Sequence, residues 1–166
     1  MTTTNTTSAP ATTRPQARVN LKKHTAEMYR ALGELDGVVA GSGLEAPLLE
    51  LVRIRASQIN GCAFCVDMHT IDARAAGERE QRLYALTVWH ETPFFTDRER
   101  AALELTEAIT LLPQSGVGDE VYARAAEQFG EEELSKLIWA IIMINAWNRI
   151  GVTSRLVPGN YHPSAH

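Results

Sequence analysis

The sequence predicts an all-α domain of about six to seven helices. Apolar residues recur at helical spacing along most of the chain, and no segment shows the sustained alternation of apolar and polar residues that is typical of a strand. Glycines follow several of the periodic segments, as they commonly follow helices. With 166 residues, 45% hydrophobic and 22% charged, the chain has the size and composition of one globular domain.

The first three predicted helices cover about residues 22–41, 45–59 and 62–76. Their apolar stripes are Met28, Leu32, Leu35 and Val39, then Leu48, Leu49, Val52, Ala56 and Ile59, and finally Phe64, Met68, Ile71 and Ala75. The second helix also carries Leu51 and Ile54 on its other face, so we expect it to be buried nearly all round. Glycines at 41, 61 and 77 mark the ends of these helices.

Four further helices are predicted over about residues 79–90, 97–112, 121–129 and 131–150. Their apolar positions are Leu83, Leu86 and Trp89, then Ala102, Leu105, Ile109 and Leu112, then Val121, Tyr122, Ala125 and Phe129, and finally the block 137–144. Thr96 and Glu99 have the spacing of a capping box, which places the start of the fifth helix. A loop is predicted over residues 113–118, and Gly151 is expected to end the last helix.

The domain is expected to cover residues 19–161, with a flexible Thr-rich tail over residues 1–18 and a short tail over 162–166. The first tail has no apolar core of the kind a secretory signal needs, so we expect a cytoplasmic protein. The net charge of −4 gives no basic field for a nucleic-acid backbone. The longest apolar run has eight residues, far short of the roughly 20 that cross a membrane.

The segment with the clearest chemistry is Cys62-Ala63-Phe64-Cys65, followed by His69. Cys62, Cys65 and His69 stand at helical positions i, i+3 and i+7, so they share one face. Because Asn60-Gly61 ends the preceding helix, Cys62 should fall near the N-cap of the next one. A helix N-terminus and a C-x-x-C spacing both favour the thiolate, which is the form that attacks peroxides and disulfides.

Glu50 is expected to meet His69 across a helical hairpin. It lies eleven residues before Gly61 and His69 lies eight residues after it, which gives similar heights of roughly 15 and 12 Å at 1.5 Å per residue. The surrounding helix is apolar, so we expect burial to raise the pKa of Glu50. Such a carboxyl group beside a histidine suits a proton relay to a thiol.

The full spacing, E-x11-C-x-x-C-x-x-x-H, resembles the alkyl hydroperoxidase D-like (AhpD-like) branch of the carboxymuconolactone decarboxylase family. The segments 57–65 and 144–149 also resemble stretches of that family. The resemblance implies an all-α fold with its redox site at the N-terminus of the third helix, assembled as a homo-trimer or homo-hexamer. The chain departs from the pattern at Phe64, where hydroperoxidase D proper has a further histidine in its relay.

The same resemblance implies a peroxidase that needs no cofactor and no metal. The expected substrate is an organic hydroperoxide, and the expected reductant is a dithiol such as a lipoyl or thioredoxin-like protein. Cys65 would attack the peroxide, and Cys62, the more accessible cysteine, would close the disulfide. Glu50 and His69 would relay protons. By analogy with thioredoxin, Cys62 would instead be the nucleophile.

Other interpretations of these residues remain open. A protein of the same fold could act as a general disulfide oxidoreductase without peroxidase activity. A decarboxylase-like activity is less favoured, because that branch of the family does not use this cysteine pair. Cys62, Cys65 and His69, with Glu50 as a fourth ligand, could hold zinc in a non-catalytic interaction module. The cysteines could also be packed thiols without chemistry.

Overall fold

The computed structural model describes residues 16–163, and within that range every regular element is a helix. Nine are α-helices, and a 3-10 helix, Leu86–Glu91, follows the fifth of them. The α-helices are α1 (Leu21–His24), α2 (Ala26–Ala40), α3 (Ala46–Ile59), α4 (Ala63–Ala75), α5 (Glu80–Ala85), α6 (Asp97–Thr110), α7 (Leu112–Ser115), α8 (Asp119–Gln128) and α9 (Glu131–Ser154). The all-α prediction is therefore confirmed.

Helix α3 lies at the centre of the domain and packs against α4, α6 and α9. Leu49 and Val52 on one face belong to a core shared with α2, α6, α8 and α9. Leu51 and Ile54 on the other face belong to a second core shared with α4, α5 and the 3-10 helix. The near-complete burial predicted for this helix thus arises within one chain.

Several helix boundaries differ from the sequence prediction. The predicted fifth helix ends at Thr110, and a short helix, Leu112–Ser115, occupies the start of the loop predicted over residues 113–118. The first predicted helix is divided at Thr25, whose backbone (φ −133°, ψ 51°) leaves the helical region. The fourth becomes α5 plus the 3-10 helix, which is itself kinked at Val88, where the backbone angles are non-helical. The last helix continues through Gly151 to Ser154 and ends at Arg155 in the left-handed conformation (φ 54°). Because the first predicted helix is divided in two, the helix predicted third in the chain is α4, and the cysteine pair lies at its start.

The C-terminal segment, residues 155–163, folds back over α4. The Asp67 carboxylate accepts a hydrogen bond of 2.8 Å from the Gly159 backbone N–H. The Tyr161 hydroxyl donates to both carboxylate oxygens of Asp72, at 2.8 and 3.0 Å. A segment about 90 residues later in the chain thus uses both aspartates as hydrogen-bond acceptors.

The boundaries of the predicted tails stay predictions. Residues 1–15 and 164–166 lie outside the described range. Within it, the backbone N–H of Arg18 donates to the Ser154 carbonyl at 2.9 Å, which ties the start of the described chain to the end of α9.

Helices α2 and α9 leave large apolar side chains in contact with solvent. Met28 and Val38 of α2 are 74% and 69% exposed, and Trp139 of α9 is 51% exposed. Burial of their other faces in the core leaves these residues uncovered within a single chain. No helix in residues 16–163 combines the length and the apolar character that crossing a bilayer requires.

Candidate active site

The cysteine pair begins helix α4, as the break at Asn60-Gly61 predicted. Gly61 takes a positive φ of 66°, which ends the preceding turn in a conformation that favours glycine. Cys62 is the N-cap of α4, and its sulfur accepts a hydrogen bond of 3.4 Å from the backbone N–H of Cys65. Both sulfurs therefore lie at the positive end of the helix dipole.

Cys62 and Cys65 are joined by a disulfide, with their Cα atoms 5.4 Å apart. The exposed fractions of the two residues are 2% and 3%, so accessibility does not separate them as the resemblance implied. Gly151 of α9 lies against the pair: a Cβ atom at that position would come within 2.7 Å of the Cys62 sulfur. The disulfide thus needs a residue without a side chain opposite it.

A buried polar network fixes the turn before Cys62. The Asn60 side-chain amide donates to the side-chain oxygens of Asn145 and Asn148, each at 2.9 Å. Asn148 in turn donates to the Ser57 hydroxyl at 2.9 Å, and Asn145 donates to Thr110. Every member has a partner, so Asn145 and Asn148 of α9 hold the turn before Cys62 in place.

Glu50 and His69 meet as the hairpin arithmetic predicted. Glu50 Oε2 lies 2.9 Å from His69 Nδ1, and Glu50 Oε1 accepts a hydrogen bond of 2.7 Å from Arg53. The side chains of Glu50 and His69 are 13% and 9% exposed, so the pair is largely shielded from water. The buried face of α4 is Cys65, His69 and Ala73, whereas the predicted stripe at Phe64, Met68 and Ile71 is only half-buried.

The expected rise in the pKa of Glu50 was wrong. Burial does act to raise this pKa, but the hydrogen bond and charge of His69 and the guanidinium of Arg53 outweigh it. The pKa of Glu50 is therefore below its ordinary value, and the carboxylate is ionised. Arg53 stands at i+3 from Glu50, so the helical spacing was a signal that could have revealed it.

Asp72 extends the group of charges, and it too was missed. One ligand atom each from Glu50, His69 and Asp72 lie within 4.8 Å of one another, so these residues form the described group most similar to a metal site. Their acceptor atoms already receive hydrogen bonds from Arg53 and Tyr161. Burial and the hydrogen bond to Asp72 raise the pKa of Tyr161 to about 12, so its hydroxyl stays protonated at neutral pH.

Two cavities lie on either side of the disulfide. The inner cavity, about 230 Å³, is bordered by Tyr29, Asp36, Arg53, Phe64, Cys65, Met68, His69, Ile144, Trp147 and Leu156. The outer cleft, about 710 Å³, is bordered by Arg18, Gly61, Cys62, Ala63, Phe64, Gly151, Val152, Arg155, Leu156, Val157, Pro158, Gly159 and Asn160. Phe64 and Leu156 border both, so they form the wall between them. Cys65 faces the first and Cys62 the second.

Residues 26–108 match the model of the carboxymuconolactone decarboxylase family, which spans α2 to α6 and all four predicted site residues. The chain is also 44% identical over 135 residues to YdfG of Bacillus subtilis, an uncharacterised protein, covering 81% of this chain and 92% of YdfG. The chain belongs to the carboxymuconolactone decarboxylase family. In this member of the family, Glu50, His69 and the two cysteines lie in one compact site.

Solved structures place this family member in the AhpD-like branch. The crystal structure of ATU0492 from Agrobacterium tumefaciens, a protein of unknown function assigned provisionally to antioxidant defence as an AhpD, is 39% identical with a TM-score of 0.83. The match covers 90% of this chain and all of that one (100%). An uncharacterised peroxidase-related protein of Ralstonia eutropha with an AhpD core is 18% identical with a TM-score of 0.74, over 84% and 74% of the two chains. This second likeness shows the fold alone.

Proposed function

We propose that the protein is a cysteine-based alkyl hydroperoxidase that uses Cys62 and Cys65 as a redox pair and needs no cofactor. The observation that carries the proposal is the placement of Cys65 and His69 around one inner cavity, with Glu50 hydrogen-bonded to His69 behind it. Phe64, Met68, Ile144 and Trp147 make much of that cavity apolar, which suits the alkyl group of an organic hydroperoxide. Its volume of about 230 Å³ suits a small substrate.

The state of Glu50 sets the tautomer of His69. An ionised carboxylate can only accept a hydrogen bond, so His69 Nδ1 carries the proton that Glu50 Oε2 receives. The other ring nitrogen, Nε2, is then unprotonated in the neutral imidazole and can take a proton from a thiol. Since His69 follows Cys65 by four residues on α4, the Cys65 thiol is the one that this nitrogen serves.

In the oxidative half of the reaction, the Cys65 thiolate attacks one peroxide oxygen and breaks the O–O bond. The leaving alkoxide takes the proton held on His69 and departs as an alcohol, and Cys65 becomes a sulfenic acid. Cys62 then attacks the Cys65 sulfur, the S–O bond of the sulfenic acid breaks, and the departing hydroxide takes the proton that the Cys62 thiol gave up, which leaves the disulfide and water. In the reductive half, a dithiol reductant returns both cysteines to thiols and is itself oxidised to a disulfide.

The test uses reduced protein and one equivalent of cumene hydroperoxide. We expect loss of both thiols and a fall in mass of about 2 Da, which corresponds to one internal disulfide. The matched variants separate the two cysteines: Cys62→Ser should accumulate a sulfenic acid on Cys65, and Cys65→Ser should not react. Sulfenic acid on Cys62 in the Cys65→Ser variant would reverse the order, and inert wild-type thiols would overturn the proposal.

A general disulfide oxidoreductase is the second candidate. It is favoured by Phe64, an apolar residue between the cysteines, and by the outer cleft, which is larger than the inner cavity and gives access to Cys62. This activity would turn over a small disulfide such as lipoamide without consuming peroxide. The two candidates are distinguished by comparing both turnover rates on the same preparation.

We further propose that the protein assembles as a homo-trimer or homo-hexamer. Exposed Met28, Val38 and Trp139 on α2 and α9 support this, because apolar side chains of this size are usually covered in an assembly.

A further inference from the structure

The outer cleft has a charge opposite to that of the whole protein. The chain carries a net charge of −4, yet none of the described residues that border this cleft is acidic. The adjoining opening beside Cys62 contains one carboxylate, Asp67, which accepts a hydrogen bond from the Gly159 backbone N–H. Arg18 and Arg155 stand at its edge, and the remaining border is apolar or uncharged. An opening with two positive charges in an acidic protein selects anionic ligands by electrostatic attraction.

These two arginines are also free of internal partners. Within residues 16–163, neither guanidinium has a carboxylate oxygen within 4.0 Å or makes a side-chain hydrogen bond. Seven other arginines in that range do pair with carboxylates: Arg30, Arg53, Arg55, Arg74, Arg82, Arg98 and Arg124. The positive charge at the outer cleft is therefore available to a ligand.

The backbone fixes both arginines beside the disulfide. Arg18 is tied through its N–H to the Ser154 carbonyl, and Arg155 is the left-handed residue that ends α9. Gly151, one turn earlier on α9, lies against the Cys62 sulfur. The two side chains are therefore anchored at the end of α9 that borders Cys62, while Phe64 and Leu156 separate them from Cys65.

We propose that the outer cleft is the binding site for the reductant and that Arg18 and Arg155 select a small anionic dithiol there. The inference rests on the proposed function, because it assigns the reductive half of that cycle. One thiolate of the reductant attacks the Cys62 sulfur, and the Cys62–Cys65 bond breaks with Cys65 leaving as a thiolate. The second thiol attacks the resulting mixed disulfide and releases Cys62. The reductant leaves as a cyclic disulfide, and its two protons restore the protein thiols.

The experiment compares two reductants that differ in one charge. Dihydrolipoate carries a carboxylate, whereas dihydrolipoamide has the same dithiol and a neutral amide. Each is mixed with the oxidised protein, and the release of the two protein thiols is followed by alkylation and mass. We expect dihydrolipoate to react about two- to five-fold faster at low ionic strength, the size that an exposed ion pair gives. In 0.5 M salt the ratio of the dihydrolipoate rate to the dihydrolipoamide rate should fall toward one.

Variants then assign the preference to the cleft. Arg18→Gln/Arg155→Gln should abolish it by slowing dihydrolipoate alone, with the rate for dihydrolipoamide unchanged. Lys23→Gln/Arg79→Gln removes the same two charges from exposed side chains outside the cleft and should keep the preference. Both substitutions in the cleft leave intact the backbone hydrogen bonds that hold it.

Each outcome bears on a different step. Equal rates for the two reductants in the wild type, or a preference that survives Arg18→Gln/Arg155→Gln, would overturn the charge selection and leave the peroxidase proposal standing. No reduction by either dithiol would overturn the dithiol cycle together with this site. Because no peroxide is present, failure of the oxidative half cannot produce either result.

Discussion

Glu50 is the residue whose charge state sets how the site handles protons. Its carboxylate holds His69 in one tautomer and is itself held by Arg53. Glu50→Gln keeps the shape of the side chain but removes the negative charge beside His69. We therefore expect oxidation of Cys65 by cumene hydroperoxide to slow about 100-fold, the scale of general acid–base catalysis. Stopped-flow measurement of thiol loss checks this, with Glu27→Gln, an exposed glutamate of α2, as the control of equal charge. An unchanged rate would reject the relay.

The same carboxylate contributes to stability in a pH-dependent way. Its pKa is lowered in the folded state, so its contribution is fully present above its ordinary pKa near 4.5. The contribution is lost as pH falls through the lowered folded value. We therefore expect the difference in free energy of unfolding between the wild type and Glu50→Gln to be constant above pH 4.5 and to narrow below it. Urea unfolding across this range measures it, and a difference that widens toward acid would contradict the sign.

At Gly151, the addition of a single methyl group should lower the stability of the protein. Alanine would place a Cβ atom within 2.7 Å of the Cys62 sulfur. We expect Gly151→Ala to lower the free energy of unfolding of the oxidised protein by about 1–3 kcal/mol, as overpacking does. Gly33→Ala is the matched control: it too is inside a helix, but its Cβ would meet nothing within 4 Å, so it should stabilise by about 0.5–1 kcal/mol. A stabilising effect at both positions would contradict the close contact.

The sequence predicted some of the contacts in this site and could not predict others. Glu50, Cys62, Cys65 and His69 stand at helical spacings that predicted their meeting, because α3 and α4 are neighbours in sequence. Arg53 could have been found by the same spacing. Gly151 and Tyr161 could not, since their contacts with α4 span about 90 residues of sequence and depend on how α9 crosses the hairpin.

At the scale of elements, the C-terminal segment is held onto α4 by hydrogen bonds to two aspartates. The raised pKa of Tyr161 means that its contribution to stability is fully present below pH 10 and is lost as pH rises through about 12. We expect the phenolate absorbance of wild type minus Tyr161→Phe to titrate with a midpoint near 12. A midpoint near 10 would show that the Tyr161–Asp72 hydrogen bond does not persist in solution.

The presence of the long helices could be predicted from the sequence, whereas the positions at which helices break or continue could not. The periodic apolar stripes identified each long helix, and the Thr96–Glu99 capping box that opens α6 is present as predicted. The divisions at Thr25 and Val88 depend on backbone angles that neither residue type imposes. Gly151 lies inside α9 and does not end it, because its lack of a side chain serves packing: the disulfide occupies the space that a side chain would fill there.

At the scale of the whole molecule, the exposed apolar residues predict assembly. We expect light scattering to give a mass of three or six times the 18.3 kDa of one chain. Val38→Gln and Trp139→Gln replace side chains that are 69% and 51% exposed in one chain, so the helical content should stay while the mass falls. A wild-type mass of 18.3 kDa would contradict the assembly.

The wall formed by Phe64 and Leu156 has a kinetic consequence. Most enzymes that alternate between two forms bind both substrates at one place, so an excess of either substrate blocks the other. Here each sulfur of the disulfide faces its own cavity, and the proposed oxidant and reductant approach from opposite sides. The steady-state rate should therefore follow two-site ping-pong kinetics, with parallel double-reciprocal plots and no inhibition when either substrate is raised well above its KM.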